Sequence, residues 1–388
     1  MHTIPYGRQD ITQDDIDAVV SVLKSDFLTQ GPSVPMFDKR LCDITGAAHA
    51  LAVNSATSAL HIACLALGVG PGDRVWTSPN TFVASANCAL YCGASVDFVD
   101  IDMRTYNMCV ASLEEKLIKA ERDGCLPKVV IPVHFAGQSC DMVSISNLST
   151  KYGFRVIEDA SHAIGGKYGD CAIGACRHSD ITVFSFHPVK IVTTAEGGAA
   201  LTNSPDLASR MLRLRTHGIT PDSSLFVGQP DDEIWNYQQI DLGYNYRMTE
   251  LQAVLGLSQV NRLTDFVEKR HKLAEQYNVD LNGVPITLPY QAGGTYSSYH
   301  LYPILVSVDN GCPSQRDVFA RLHAENIMAN LHYIPVYLQP YYANQGFVRG
   351  YCPNAEHYYR RTVSLPMYPT ITDEQYNFVV AILKKVLL

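Results

Sequence analysis

The sequence predicts an α/β chain: a large domain on a mainly parallel sheet, followed by a smaller C-terminal α/β domain. Three observations carry this. Between residues 50 and 205, short apolar runs alternate with segments of helical periodicity, the pattern of a parallel sheet covered by helices on both faces. A long helical stretch, Glu250–Leu281, then reads as a connector. Beyond it the chain has a strand of its own, His300–Val306, and helices near Ser314–Glu325 and Thr372–Leu388. The expected division is 1–250 for the N-terminal helix and large domain, and 251–388 for the connector and small domain.

The elements follow in order. Thr12 is a plausible N-cap for a helix to Leu23 with an Asp-rich first turn, expected to pack on the outside. Asn54–Leu67 is a loop feeding a helix, Arg74–Thr77 a short buried strand, and Phe82–Tyr91 a helix whose small residues allow close packing. Ser95–Val99, Lys128–Val133, Arg155–Ile157, Asp180–Phe186 and Gly198–Thr202 read as strands, with helices at Ser112–Arg122 and Met142–Tyr152. Thr216–Ile240 has little periodicity and many Pro, Asp and Gln residues, so it reads as a long functional or intersubunit loop.

With 388 residues, 47% of them hydrophobic, the chain can bury a large core. A net charge of -8 with no Lys/Arg block argues against a nucleic-acid partner. No apolar run reaches membrane-spanning length, and Met1–Arg8, with Pro5 and Gly7, lacks the apolar centre of a signal peptide. The eleven cysteines are scattered, with no Cys-x-x-Cys pair. They read as reduced thiols of a cytoplasmic protein, without a metal site.

Three segments carry chemistry. In Phe184-Ser-Phe-His-Pro-Val-Lys190, a lysine follows an apolar strand through a Pro-containing turn, and Glu196-Gly-Gly198 comes next. In a parallel sheet, ligands bind beyond the carboxyl ends of the strands. A lysine there can point into the crevice, where partial burial lowers its pKa as a Schiff-base nucleophile requires. The same pattern also suits a surface lysine in a loop. In Ile157-Glu-Asp-Ala-Ser-His-Ala163, Asp159 sits at a strand's end. It suits a carboxylate that keeps a pyridinium nitrogen protonated; it equally suits a turn cap. His162 lies three residues on, able to reach a cofactor's 3′-oxygen or to be an interior histidine. In Asn54-Ser-Ala-Thr-Ser-Ala-Leu60, small and hydroxyl residues open a helix. That makes an anion site or an ordinary N-cap. Ser185 is a further candidate phosphate ligand, and Phe82 an aromatic that can stack on a ring or simply pack. Together these are the parts pyridoxal 5′-phosphate needs.

In order along the chain, Leu28-Thr-Gln-Gly31, Asn54–Leu60, Thr81-Phe-Val-Ala84, Glu158–Ala163, Ser185–Lys190 with Glu196-Gly-Gly198, and Gly243-Tyr-Asn-Tyr-Arg-Met248 resemble the DegT-type sugar-nucleotide aminotransferases. Within that family the opening around Tyr6, Asp26–Gly31, Thr193–Gly198, His300–Ile304 and His332-Tyr333 resemble the UDP-4-amino-4,6-dideoxy-N-acetyl-β-L-altrosamine transaminases of pseudaminic acid synthesis. The resemblance implies the aspartate-aminotransferase-like (fold type I) fold. It implies that Lys190 forms the Schiff base, Asp159 meets the pyridine nitrogen and His162 the 3′-oxygen. Phe82 would stack on the ring, while Ala56, Thr57 and Ser185 hold the phosphate. Asn245 would reach the phosphate of a neighbouring subunit's cofactor, making the active form a homodimer. Tyr6, Asp26, Phe27, Leu28, Thr29, His332 and Tyr333 would touch the nucleotide-sugar. Arg247 would meet a substrate phosphate or carboxylate, or form a structural ion pair. Relatives often carry Tyr-Pro-Thr-Lys where this chain has His187-Pro-Val-Lys190, and Gln at the place of His162.

The implied reaction moves an amino group from L-glutamate to C4 of a UDP-linked 4-keto-6-deoxy-N-acetylhexosamine in two half-reactions. The alternatives are another dTDP-, UDP- or GDP-linked 3- or 4-keto-sugar, a deoxygenation (against which the lysine at 190 speaks), or a non-enzymatic regulator on the same fold.

Overall fold

Seven strands form the central sheet of the computed structural model, which describes residues 3–228, 233–307 and 311–388. They are β1 (His49–Val53), β2 (Arg74–Thr77), β3 (Ser95–Phe98), β4 (Val129–Ile131), β5 (Arg155–Asp159), β6 (Ile181–Ser185) and β7 (Gly198–Thr202). Their spatial order is β1-β7-β6-β5-β4-β2-β3, and only β7 runs against the rest. β6 and β7 are buried along their whole length, which is why they carry apolar and small residues on both faces, with no charged residue on either. Successive residues of a strand serve opposite faces. Ile157 and Val183 pack with Leu60, Ile62 and Ala63 on one side, whereas Phe184 packs with Phe37 and Leu41 on the other.

The smaller core rests on an antiparallel sheet of β8 (Ile286–Thr287), β9 (Tyr302–Val306) and β10 (Thr362–Leu365), in the order given. Tyr277, Val318, Leu322 and Leu383 cover it. The sequence reading had one strand here, β9; the other two are short and pair with it. The two cores do not part the chain at a single point. Ile4–Pro5 pairs with Ile327–Met328, and Ile4 packs in the small core. Val336, Tyr337, Tyr342 and Tyr358 return to the large one.

Several expectations need correction. The connector Glu250–Leu281 is two helices, Glu250–Val260 and Leu263–Asp280. The break places Arg262 against the N-terminal segment, where it pairs with Asp10 (2.9 Å) and Asp15 (2.6 Å). The first helix, Gln13–Leu23, packs on the outside as expected, with only Asp15 and Val22 buried, and Arg262 holds it there through Asp15. The helix expected from Phe82 begins at Ala84, leaving Phe82 in the turn before it. The helices Ser33–Thr45 and Pro205–Arg215 were not anticipated. Within Thr216–Ile240, a two-strand ribbon pairs Ile219–Thr220 with Gln238–Gln239, and residues 229–232 lie outside the described residues.

Candidate active site

A cavity of about 670 Å³ opens at the carboxyl ends of β5 and β6, a size suited to a cofactor with part of a substrate. Asp159, the last residue of β5, is 4% exposed. A buried carboxylate must be hydrogen-bonded. Its Oδ2 accepts from Ser85 Oγ at 2.5 Å and its Oδ1 from the Ser161 N–H at 3.1 Å. Ser85 has one proton and gives it to Asp159, so Thr81 Oγ1, 2.8 Å away, is the donor in the next link. Sequence reading missed Ser85. Its place three residues after Phe82, on the helix that faces the strand ends, was the available signal.

Lys190 lies in a turn beyond β6, where its N–H donates to the His187 carbonyl at 2.8 Å. Its side chain lines the same cavity as Asp159. Loss of water around the amine pushes its pKa down to about 8, against the pull of the Asp159 carboxylate. That favours the free base a Schiff-base nucleophile needs.

Opposite, the helix Ala56–Ala66 begins at the cavity wall. Ser55 Oγ takes the Ser58 N–H at 3.1 Å. The N–H groups of Ala56 and Thr57 have no acceptor four residues back, and both residues line the cavity with Ser185. This is a helix N-terminus ready for an anion. The chain approaches closely here. A Cβ on Gly198 would stand 2.4 Å from the Ala56 backbone nitrogen, so β7 must start with glycine for the cradle to form. The donors, the carboxylate, the lysine and the half-exposed ring of Phe82 (61%) fit pyridoxal phosphate.

His162 is buried, and burial together with the nearby Lys190 charge holds its pKa well below the usual value. Its Nδ1 accepts the Ala136 N–H at 3.3 Å, so Nε2 carries the hydrogen and donates to Tyr333 Oη at 3.1 Å. The Tyr333 proton is then free for the cavity. The His332–Tyr333 peptide is cis. His332 Nδ1 is 2.9 Å from Ser364 Oγ, and burial pushes its pKa down to about 3. Tyr6, brought in by the pairing of Ile4–Pro5, completes that wall.

Ten of the residues singled out from the sequence therefore meet in one cavity: Tyr6, Ala56, Thr57, Phe82, Asp159, His162, Ser185, Lys190, His332 and Tyr333. Six lie outside it in the single chain. Asp26, Phe27, Leu28 and Thr29 form an exposed segment. Asn245 is exposed, its carbonyl 3.4 Å from Asn54 Nδ2. Arg247 bridges to Val53.

Residues 9–384 match the DegT/DnrJ/EryC1/StrS aminotransferase family. The chain belongs to that family. It is 38% identical to a Campylobacter jejuni UDP-4-amino-4,6-dideoxy-N-acetyl-beta-L-altrosamine transaminase, over 97% of this chain and 95% of the relative. It is 37% identical to the spore coat polysaccharide biosynthesis protein SpsC of Bacillus subtilis, over 98% and 96%. Among solved structures, Helicobacter pylori PseC, an aminotransferase of pseudaminic acid biosynthesis, superposes with a TM-score of 0.89 at 30% identity, over 100% of this chain and 99% of PseC. Solved relatives of the same fold include PLP and PMP forms. The protein is a sugar aminotransferase of this family, and its cofactor is pyridoxal phosphate. No helix among the described residues is long and apolar enough to cross a membrane, and no group of metal-ligating side chains forms among them.

Proposed function

We propose that the protein transfers the amino group of L-glutamate to C4 of UDP-2-acetamido-2,6-dideoxy-β-L-arabino-hex-4-ulose, a step of pseudaminic acid synthesis. The observation that carries the chemistry is that the Lys190 amine and the Asp159 carboxylate face one cavity from adjacent strand ends. The substrate rests on likeness to the C. jejuni transaminase and to PseC. SpsC, equally similar and differently named, favours a second reading: another dTDP-, UDP- or GDP-linked 3- or 4-keto-sugar.

When bound, pyridoxal phosphate supplies a ring that absorbs the charge left by removal of an α-proton. The chain does the rest. Lys190 anchors the cofactor and, released by the incoming amino acid, its free base takes the α-proton and later returns one. Asp159, fixed by Ser85 and Ser161, keeps the ring nitrogen protonated. His162 and Tyr333 together meet the 3′-oxygen. Ala56, Thr57 and Ser185 hold the phosphate, and Phe82 covers the ring. Tyr6 and His332 contact the sugar. A second subunit contributes Asn245 to the phosphate, Arg247 to a substrate anion, and Asp26–Thr29 to the nucleotide. The active form is a homodimer.

A panel of nucleotide-linked keto-sugars, each incubated with holoenzyme and L-glutamate, tests the assignment. The UDP-linked 4-keto-N-acetylhexosamine is expected to give the highest kcat/KM, with ping-pong kinetics. Amination of only a dTDP- or GDP-linked sugar would sink the first reading and leave the second.

A further inference from the structure

Next to Lys190 stands an imidazole that the scheme above leaves unused. His300 Nε2 is 3.5 Å from Lys190 Nζ. The ring is 4% exposed, and its Nδ1 has no hydrogen-bond partner. His300 does not line the cavity, so it meets the lysine and not a bound substrate.

An unpaired buried ring nitrogen is unfavourable, so something must enforce this placement. Arg270, 1% exposed, directs Nη1 at three backbone carbonyls: Tyr299 at 3.1 Å, His300 at 3.3 Å and Met367 at 2.7 Å. Tyr299 has φ +46, a left-handed conformation that a side chain disfavours. Ser298 Oγ donates to the His162 carbonyl at 2.8 Å, and the Ser298 and Leu301 N–H groups donate to Gly137 and Ala136. The turn that leads into β9 of the small domain is thus stitched to the large domain on either side of His300. Strain that the surroundings over-determine in this way marks a side chain with a task.

We propose that His300 is a positioning residue for Lys190, its neutral imidazole receiving the amine whenever the lysine is not joined to the cofactor and holding it in line with the cavity. The imidazole stays neutral because it is buried and because the Lys190 and Arg270 charges lie close to it. Its Nε2 lone pair accepts an N–H from Lys190, and Nδ1 carries the unpaired hydrogen. The acceptor favours the ammonium form of Lys190, as Asp159 does, while desolvation opposes both. Removing it lowers the amine's pKa further and leaves the amine unaimed.

The inference rests on Lys190 being the cofactor's anchor. Lys190→Ala apoprotein must fail to develop the visible band of bound pyridoxal phosphate; if the band forms, the anchor assignment fails whatever His300 does. With the anchor secure, stopped-flow mixing of apoprotein with pyridoxal phosphate gives the uptake rate against pH, which rises through the amine's pKa, about 8 in the parent. His300→Phe is expected to move that breakpoint down by about half a unit to one unit and to slow uptake above it about tenfold. His300→Gln keeps an acceptor and is expected to restore the breakpoint and most of the rate. Arg270→Lys, which reaches fewer of the three carbonyls, is expected to slow uptake by a smaller factor and carries the test if His300→Phe does not fold. Breakpoints and rates equal to the parent in the folded variants would overturn the proposal. So would His300→Gln as impaired as His300→Phe.

Discussion

The inner half of the site and the exposed segments outside the cavity, its proposed rim, are built on opposite terms. Around Asp159 and Lys190 the polar groups are buried and answered within the chain: Ser85 and Ser161 on Asp159, His300 on Lys190, Tyr333 on His162. The rim segments are apolar and bare. Phe27 and Leu28 are more than half exposed, as are Trp235, Tyr237 and Leu242. Exposed large apolar side chains grouped along a segment suit an interaction site. One chain therefore carries the amine chemistry, and the proposed sharing of sites between subunits accounts for the unfinished rim.

The contrast breaks most sharply at Lys190. Lys190→Met is expected to remove the cofactor's visible band and lower turnover by about 10²–10⁴-fold or more, while the protein stays folded. The same variant has a signature in the apoprotein. Lys190 has a folded pKa of about 8, below the ordinary value of about 10.4. Between these the unfolded chain binds the extra proton, so this lysine's contribution to stability rises with pH across that window and is flat outside it. Urea melts of the apoprotein across that range are expected to show this rise in the parent and not in Lys190→Met. An unchanged slope would mean that the amine is not desolvated.

Ser85→Ala comes next. It leaves one oxygen of a buried carboxylate without its 2.5 Å donor, a loss of about 1.5–3 kcal/mol, or roughly ten- to a hundredfold in kcat. Both half-reactions are expected to suffer alike, because both use the ring nitrogen. Single-turnover rates with glutamate and with keto-sugar measured separately check this; a defect confined to the sugar half-reaction would contradict it.

How much of this was legible follows the same divide. Lys190 and Asp159 were readable because each stands at the end of a strand that sequence pattern alone locates, and the Asn54–Leu60 cradle because small and hydroxyl residues open a helix there. His300 was readable only as part of a motif, since its meaning depends on Arg270 and Ser298, which act from distant segments. The break between the helices Glu250–Val260 and Leu263–Asp280 was invisible for the same reason: the periodicity runs on, and the pull of Asp10 and Asp15 on Arg262 is tertiary. The helix Ser33–Thr45 hides behind Pro35 in its first turn, where proline is allowed but reads as a breaker.

On the rim, Trp235→Ser with Leu242→Ser is expected to weaken the proposed dimer without touching the inner half. Sedimentation should then show monomer at dilute concentration. Specific activity should fall several-fold on dilution and recover when the protein is concentrated, as mass action requires. A monomer as active per chain as the parent would refute shared sites.

The smallest effect is expected where the rim is tied to the large domain. Glu250 takes the N–H groups of Gly31 (3.1 Å) and Val34 (3.4 Å) on Oε1 and that of Ser33 (2.6 Å) on Oε2, while its own N–H donates to the Leu28 carbonyl at 3.0 Å. Gly31 must be glycine, because a Cβ there would stand 2.7 Å from that of Phe27 and 2.9 Å from Glu250 Oε2. In Glu250→Gln one oxygen becomes an NH₂ group, which cannot accept. Either Ser33 or the Gly31–Val34 pair then faces a donor, and the segment Asp26–Thr29 loses part of its hold. Only the sugar half-reaction is expected to notice. KM for the keto-sugar should rise about three- to tenfold, about 0.7–1.4 kcal/mol, with the glutamate half-reaction and the cofactor band unchanged. An equal loss in the glutamate half-reaction would mean that Glu250 supports the inner half as well, and that the two regions are not separable.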